Sequence, residues 1–248
     1  MTGLLAQIYR HPIKGHGREA LASVDLSAGA CLPMDRHWAV AHDAARLTDG
    51  WAHPSNFARG AKAPALMAVT SALDEATGTV TLRHPNRGTL TFRPDDAADL
   101  PQFLEWVAPF NPAERAQPAR IVTIGRGMTD SDFPSVSILS MTSLAELSGQ
   151  MGKDLSVHRW RGNLWLDGAK PFAEWDWIGK HLTIGGAVLR IEERITRCTA
   201  TMVDPETGLR DCDTLAGLQA SYGHKDFGVY GVVVEGGEIA LGDPWKVS

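Results

Sequence analysis

The sequence predicts a mainly β protein of the α+β class, and three features of the 248-residue chain carry that reading. Short runs of alternating apolar and polar residues recur between clusters of Gly, Pro, Asn and Asp, the pattern of half-buried strands. Only a few stretches change to the 3.6-residue period of an amphipathic helix. A polar, proline-bounded stretch at 111–118 divides an N-terminal β-rich subdomain, 1–117, from a C-terminal unit, 118–248.

Residues 4–9, 20–26 and 37–42 read as the first strands. Between the first two, His11-Pro12-Ile13-Lys14-Gly15-His16-Gly17 is a glycine-punctuated loop holding one lysine. Backbone amides of such a loop and an ammonium make an anion pocket, whereas the competing reading is a surface turn with a solvated lysine. His11 and His16 lack any regular metal spacing and read as surface residues. Asp35-Arg36 at the start of the next strand is either a structural ion pair or a phosphate clamp. Residues 64–73, 79–83 and 89–93 form a meander turning at 74–78 and 84–88. From 95 to 110 the period changes: Leu100, Phe103, Leu104 and Val107 make a helical stripe, with Asp95 or Asp96 available as cap.

In the second half, 120–125 and 136–140 read as strands on either side of the loop 126–135. A helix follows in which Leu144, Leu147 and Met151 share a face, Ser143 and Glu146 have capping-box spacing, and Gly152 suits the end. Alternation puts Arg159, Arg161 and Asn163 on one side of an extended chain. That strip is either an anion-recognition surface or a solvated edge strand. Trp175 and Trp177 read as core aromatics, and 181–184 and 187–192 as strands. The chain then reaches Arg194-Ile195-Thr196-Arg197-Cys198, read as a strand that continues with Thr199, Thr201 and Val203 on one face and turns at Asp204-Pro205-Glu206-Thr207-Gly208. Nearby guanidinium charge would favour the Cys198 thiolate, the nucleophile and soft metal ligand; a small core thiol is the alternative. Asp213 can cap a short helix containing Leu215 and Leu218, and 227–234 is a strand.

Composition sets the outer bounds. Hydrophobic residues at 44 % and charged residues at 21 % describe an ordered globular chain. A net charge of −5 gives no reason to expect nucleic acid, whose binders concentrate basic surface. Cys31, Cys198 and Cys212 have no zinc-like or cluster-like spacing, and their odd number fits a reducing compartment. Neither a signal peptide nor a transmembrane segment is legible, so the expected location is cytoplasmic.

Several of these stretches together resemble the MOSC superfamily, in particular its amidoxime-reducing members. The resemblance rests on Thr196-Arg197-Cys198 followed by Val203-Asp204-Pro205 and Thr207-Gly208, on Pro12-Ile13-Lys14-Gly15, on Asp35-Arg36-His37-Trp38, on Arg159-Trp160-Arg161-Gly162-Asn163 and on Phe227-Gly228-Val229-Tyr230. Met34 stands where the family has Gly, and Gly162 where it has Pro. The resemblance implies a C-terminal β-barrel behind the N-terminal β-rich subdomain, with a molybdenum–molybdopterin cofactor between them. It makes Cys198 the metal ligand and catalytic thiol. It makes Lys14, Gly15, Arg36, Asp132, Ser135, Arg161, Asn163, Thr196, Arg197 and Tyr230 the cofactor-binding residues. The implied activity is reduction of small N-hydroxylated or N-oxide substrates, with electrons from an external ferredoxin-type or cytochrome/flavoprotein-type donor. Two further readings remain: a sulfur carrier or transferase using a Cys198 persulfide, and a non-catalytic carrier of the cofactor.

Overall fold

The computed structural model describes residues 2–248, and its chain is mainly β with three short α-helices. The first half contributes β1 (Thr2–Arg10), β2 (Ile13–Lys14), β3 (Glu19–Leu21), β4 (Ser23–Leu26), β5 (Trp38–His42), β6 (Thr70–Asp74), β7 (Thr79–His84), β8 (Gly88–Phe92) and α1 (Leu100–Val107). The second half contributes β9 (Pro118–Val122), β10 (Val136–Ser140), α2 (Met141–Met151), β11 (Leu164–Asp167), β12 (His181–Ile184), β13 (Ala187–Thr196), α3 (Thr214–Tyr222), β14 (Asp226–Glu235), β15 (Gly237–Ala240) and β16 (Pro244–Val247).

Seven strands close into a barrel in the order β11, β10, β14, β13, β12, β16, β1, with β1 returning to β11. Closure leaves no free edge in that ring, and the inward positions fill it with Leu5, Ile8, Ile138, Leu166, Leu189 and Trp245, among others. The β10–β11 pair is parallel, so the chain must cross over between them, and α2 lies in that crossover. The register of β13 against β14 shifts three times, the last between Arg194 and Thr196. Such shifts bend a strand and re-aim its end.

β4 pairs with β15 against the barrel core, while other elements build a lobe: the β2-β5-β9 sheet, the β6-β7-β8 meander and α1. Its core joins Trp38, Val40, Val80 and Leu82 to Phe92 and Phe103, whose rings stack at 5.0 Å. Lobe and barrel are not successive along the chain. β1 belongs to the barrel ring and β3 pairs with it, while β9 hydrogen-bonds to β5.

Several local expectations are corrected. The stretch 64–73 is not one strand: Pro64–Ala68 forms a 3₁₀ turn, with Pro64 at its start, before β6. Asp95 does not cap α1, because its carboxylate accepts the Trp38 indole N–H at 2.8 Å; Asp99 occupies the cap position. Ser140, not Ser143, caps α2, and Ser143 is buried with its hydroxyl donating to Glu174 at 2.9 Å. Gly152 ends that helix in the left-handed region, as expected, and Asp213 accepts the Ala216 N–H at 2.9 Å to cap α3. His11 and His16 are buried, not at the surface. Their loop connects a barrel strand, β1, to a lobe strand, β2, and is packed from both sides. Among the described residues, no helix is long and apolar enough to cross a membrane.

Candidate functional site

A cleft lies where lobe and barrel meet, with an empty volume of about 940 Å³ including its mouth. The lobe supplies Lys14, Gly15, Arg36, Arg59, Gly60 and Met67; the barrel supplies Ser135, Arg161, Asn163, Thr196, Arg197, Cys198 and Tyr230. All the site residues expected from sequence therefore line one cavity except Asp132. That carboxylate is exposed and absent from the wall, and Asp130 stands there instead. The loop explains the exchange. Ser131 is buried with its hydroxyl donating to the Phe133 carbonyl at 2.8 Å, which turns the chain between the two aspartates.

Charge is concentrated in this cleft. Lys14, Arg36, Arg59, Arg159, Arg161 and Arg197 line it, against the single carboxylate of Asp130, in a chain whose net charge is −5. Lys14 is buried, which lowers its pKa; Asp130 opposes that shift, and the ammonium also donates to the Met128 carbonyl at 2.8 Å. Arg36 pairs with the buried carboxylate of Asp35, which it holds well below the usual carboxylate range against the opposing effect of burial. Burial, and then the neighbouring Arg36 charge, push Arg161 down to about 9. Burial likewise brings Arg197 to about 10, while its guanidinium donates to the Phe227 carbonyl at 2.8 Å and the Trp160 carbonyl at 2.9 Å.

Two of these arginines have unusual backbones. Arg36 has φ 51° and Arg161 φ 48°, left-handed values that cost a non-glycine residue about 1 kcal/mol or more. The Nη2 of Arg161 is buried and has no partner. An orphaned guanidinium donor in a cationic cleft is what an anionic ligand would satisfy. Gly15 adds a close approach: at φ 77°, a Cβ there would sit 2.6 Å from the Ala58 carbonyl oxygen.

The Arg159 to Asn163 strip differs from expectation. Val157–Trp160 is a 3₁₀ turn, so the three side chains do not line one face of a strand. The Arg159 guanidinium is taken up by Asp211 through two bonds of 2.7 and 2.6 Å. Asn163 is buried and fastens barrel strands: its amide oxygen accepts from Ser137 N–H and hydroxyl at 3.1 and 2.7 Å, and its amide donates to the Tyr9 carbonyl at 3.1 Å.

Cys198 is exposed, at the cap of a 3₁₀ turn, Thr199–Met202. The continuous strand expected through Val203 is absent because β13 runs out of partner: Thr196 pairs with Asp226, the first residue of β14. The backbone beyond is tied elsewhere. The Arg210 guanidinium donates to the carbonyls of Thr199 and Ala61 at 2.8 and 3.0 Å, and buried Arg18 reaches the Pro205 carbonyl at 3.2 Å. The expected turn is present, with Gly208 at φ 73° against Ala65. Thr196 donates its hydroxyl to Asp226 at 2.6 Å, and the Ser135 hydroxyl lies 2.7 Å from that of Ser131. Burial pushes the Tyr230 phenol up to about 12, so it keeps its proton as a donor. Cys31, Cys198 and Cys212 are all free thiols. Among the described residues no group of three or more His, Cys, Asp or Glu is placed to hold a metal ion.

Sequence reasoning missed Asp130, Gly60, Met67 and Thr201 in the wall. Gly60 carried no local signal, since its need for a missing side chain comes from Met67, whose sulfur would lie 2.5 Å from a Cβ.

Comparison with known proteins bears on this arrangement. Residues 128–246 match the MOSC domain, and residues 2–109 match the MOSC N-terminal beta barrel domain. Mitochondrial amidoxime-reducing component 1 of Danio rerio is 25 % identical over 251 residues, covering 84 % of this chain and 71 % of that protein. The Homo sapiens protein of the same name is 33 % identical over 128 residues, 46 % of this chain and 37 % of its own length. Molybdenum cofactor sulfurase of Anopheles gambiae is 26 % identical over 126 residues, 46 % of this chain and 16 % of that protein. The match thus spans well under half of the human and mosquito relatives. Among solved structures, the YuaD protein of Bacillus subtilis aligns with a TM-score of 0.48 at 14 % identity, over 100 % of this chain and 96 % of that one. With the two domain matches in chain order and all but a short linker covered between them, the chain belongs to the MOSC family, its MOSC domain preceded by the MOSC N-terminal domain.

Proposed function

We propose that the cleft holds a molybdenum-bearing pterin and that the loaded protein reduces N-hydroxylated compounds with electrons from a separate donor protein. The observation that carries this reading is the pairing, in one cavity, of the exposed Cys198 thiol with the buried, unpartnered guanidinium donor of Arg161. One thiolate without further donors suits a metal that arrives with its other ligands, and the cations around it suit an anionic group attached to that metal. Similarity to amidoxime-reducing proteins supports the reaction class.

When bound, the cofactor supplies two-electron chemistry that the protein's own side chains lack. The chain's part is placement. Lys14, Arg36 and Arg161 would hold the anionic end, with the Gly15 backbone in the same wall. Arg197, fixed by two backbone carbonyls, would stand beside Cys198. Tyr230 offers a phenolic O–H to the cleft. Removing oxygen from an N-hydroxyl group takes two electrons and two protons and releases water. The electrons come from the donor protein, and the protons from solvent through the open mouth.

The test is elemental and pterin analysis of wild type and Cys198→Ala expressed in a host that makes the cofactor. We expect about one molybdenum per wild-type chain and loss of the metal in the variant. Because Cys198 is exposed, the fold should be unaffected, with stability unchanged within about 0.5 kcal/mol. Wild type without molybdenum but with sulfane sulfur on Cys198 would replace this reading with a persulfide carrier.

A further inference from the structure

We infer that a second, basic pocket sharing one wall with the cleft is an anion subsite that selects substrates carrying a carboxylate or phosphate group. The substrate assignment rests on the reductase reading; the anion site does not.

The shared wall is the segment 58–63. Gly60 and Ala61 line the cleft, Lys62 and Ala63 line the second pocket, and Arg59 lines both. A turn fixes this division: the N–H groups of Lys62 and Ala63 both donate to the Arg59 carbonyl at 3.0 Å. Across the pocket, Arg115 comes from the segment after α1 and His42 from the end of β5. The empty volume is about 620 Å³ including the mouth, enough for an acidic arm of a small molecule.

Its charge is one-sided. Arg59, Lys62 and Arg115 line it together, no Asp or Glu does, and none of the three is ion-paired among the described residues. Other exposed basic groups of this net-acidic chain do find carboxylates, as Arg93 does with Asp96 and Arg190 with Glu192. Three cations without an ion-pair partner around one concavity favour an oxyanion.

The substrate, not the cofactor, is the better occupant. Lys14 and Arg161, deep in the cleft, present desolvated charge suited to a ligand that stays. Lys62 and Arg115 are exposed and line only the second pocket. Their attraction is screened and modest, which suits a ligand that exchanges every turnover.

Two aryl amidoximes that differ by one ring carboxylate test this, titrated by NMR into the cofactor-loaded protein. The acid should bind about tenfold more tightly at low salt, and the advantage should shrink at about 0.5 M salt. Lys62→Ala with Arg115→Ala should erase the difference and leave the neutral amidoxime's affinity unchanged; Arg115→Glu should reverse it. Equal affinities in wild type, or a preference that survives the double variant, overturns the subsite. If the preference follows the variants but neither compound is reduced, the reductase reading fails and the anion site stands. Nucleotide-bearing pterin released from wild type but not from the double variant would assign the pocket to the cofactor and overturn the substrate assignment.

Discussion

The Nη2 of Arg36 donates to the backbone carbonyl of Arg161 at 2.8 Å, joining two residues that both hold left-handed backbones on opposite walls of the cleft. The bond links the lobe to the barrel. It also fixes the conformation in which the Nη2 of Arg161 is buried without a partner. Strain and an unsatisfied donor at one position are costs that folding alone does not explain, and a bound anion would repay them.

Arg161→Gly should therefore raise the stability of the cofactor-free protein. Glycine adopts φ 48° without penalty and removes the buried donor, a gain of about 1–2 kcal/mol by the usual cost of each defect. The carbonyl that accepts from Arg36 remains. Thermal unfolding should move up while molybdenum loading falls at least about tenfold. A lowered melting temperature in the empty protein would show that the arginine stabilises the fold instead.

Stability should decline as the solution is acidified below neutral. Burial pushes His11 down to about 3 and His16 to about 4, both opposed by hydrogen bonds too weak to restore the ordinary value. Unfolded histidines titrate near 6.5, so between that pH and about 4 the unfolded chain binds more protons than the folded one. Their contribution is complete above pH 7 and is lost as pH falls through this window, by about 2 kcal/mol per histidine at pH 5. Denaturant unfolding between pH 5 and 8 measures it, and His16→Gln should flatten the slope.

Glu174 acts in the opposite direction. Burial raises it to about 7, and one carboxyl oxygen has no partner. A raised acid contributes stability while it is protonated and loses it as pH climbs from about 4.5 through 7. Glu174→Gln keeps an acceptor for the Ser143 hydroxyl and carries no charge. It should stabilise the protein by about 3 kcal/mol at pH 8 and by less than about 1 kcal/mol at pH 5. A variant equally stable to wild type at both pH values would place the carboxylate in contact with water.

The sequence displayed the strands better than the joints between them. Alternation located β1, β7, β10 and β14 to within a residue or two, because each packs one face on a core and one towards solvent or a neighbour. His11 and His16, read as surface residues for lack of metal spacing, are buried because a lobe and a barrel meet across that loop, which no local window records. The cleft residues were legible through the family motifs around Lys14, Arg36, Arg161 and Cys198. Asp130 was not, since choosing it over Asp132 depends on hydroxyl bonds inside the 126–135 loop. The stretch after Cys198 has β-branched residues suited to a strand, but a strand needs a neighbour, and β14 begins too late to supply one.

β1 sits between β16 and β11 in the closed ring. On a ribosome it emerges more than two hundred residues before β16, whose pairing partners it must still be free to meet. Contacts so distant in sequence form slowly, since loop-closure entropy is paid before the pairing rewards it. During that interval the apolar row of Leu5 and Ile8 has only part of its final surroundings. The lobe can consolidate around its own core of Trp38, Phe92 and Phe103 once β9 is made. The barrel must wait for its last stave. The cleft, walled by both, forms only when the barrel closes, so a cofactor that is anchored on both walls would find its complete site only once β16 has joined the ring.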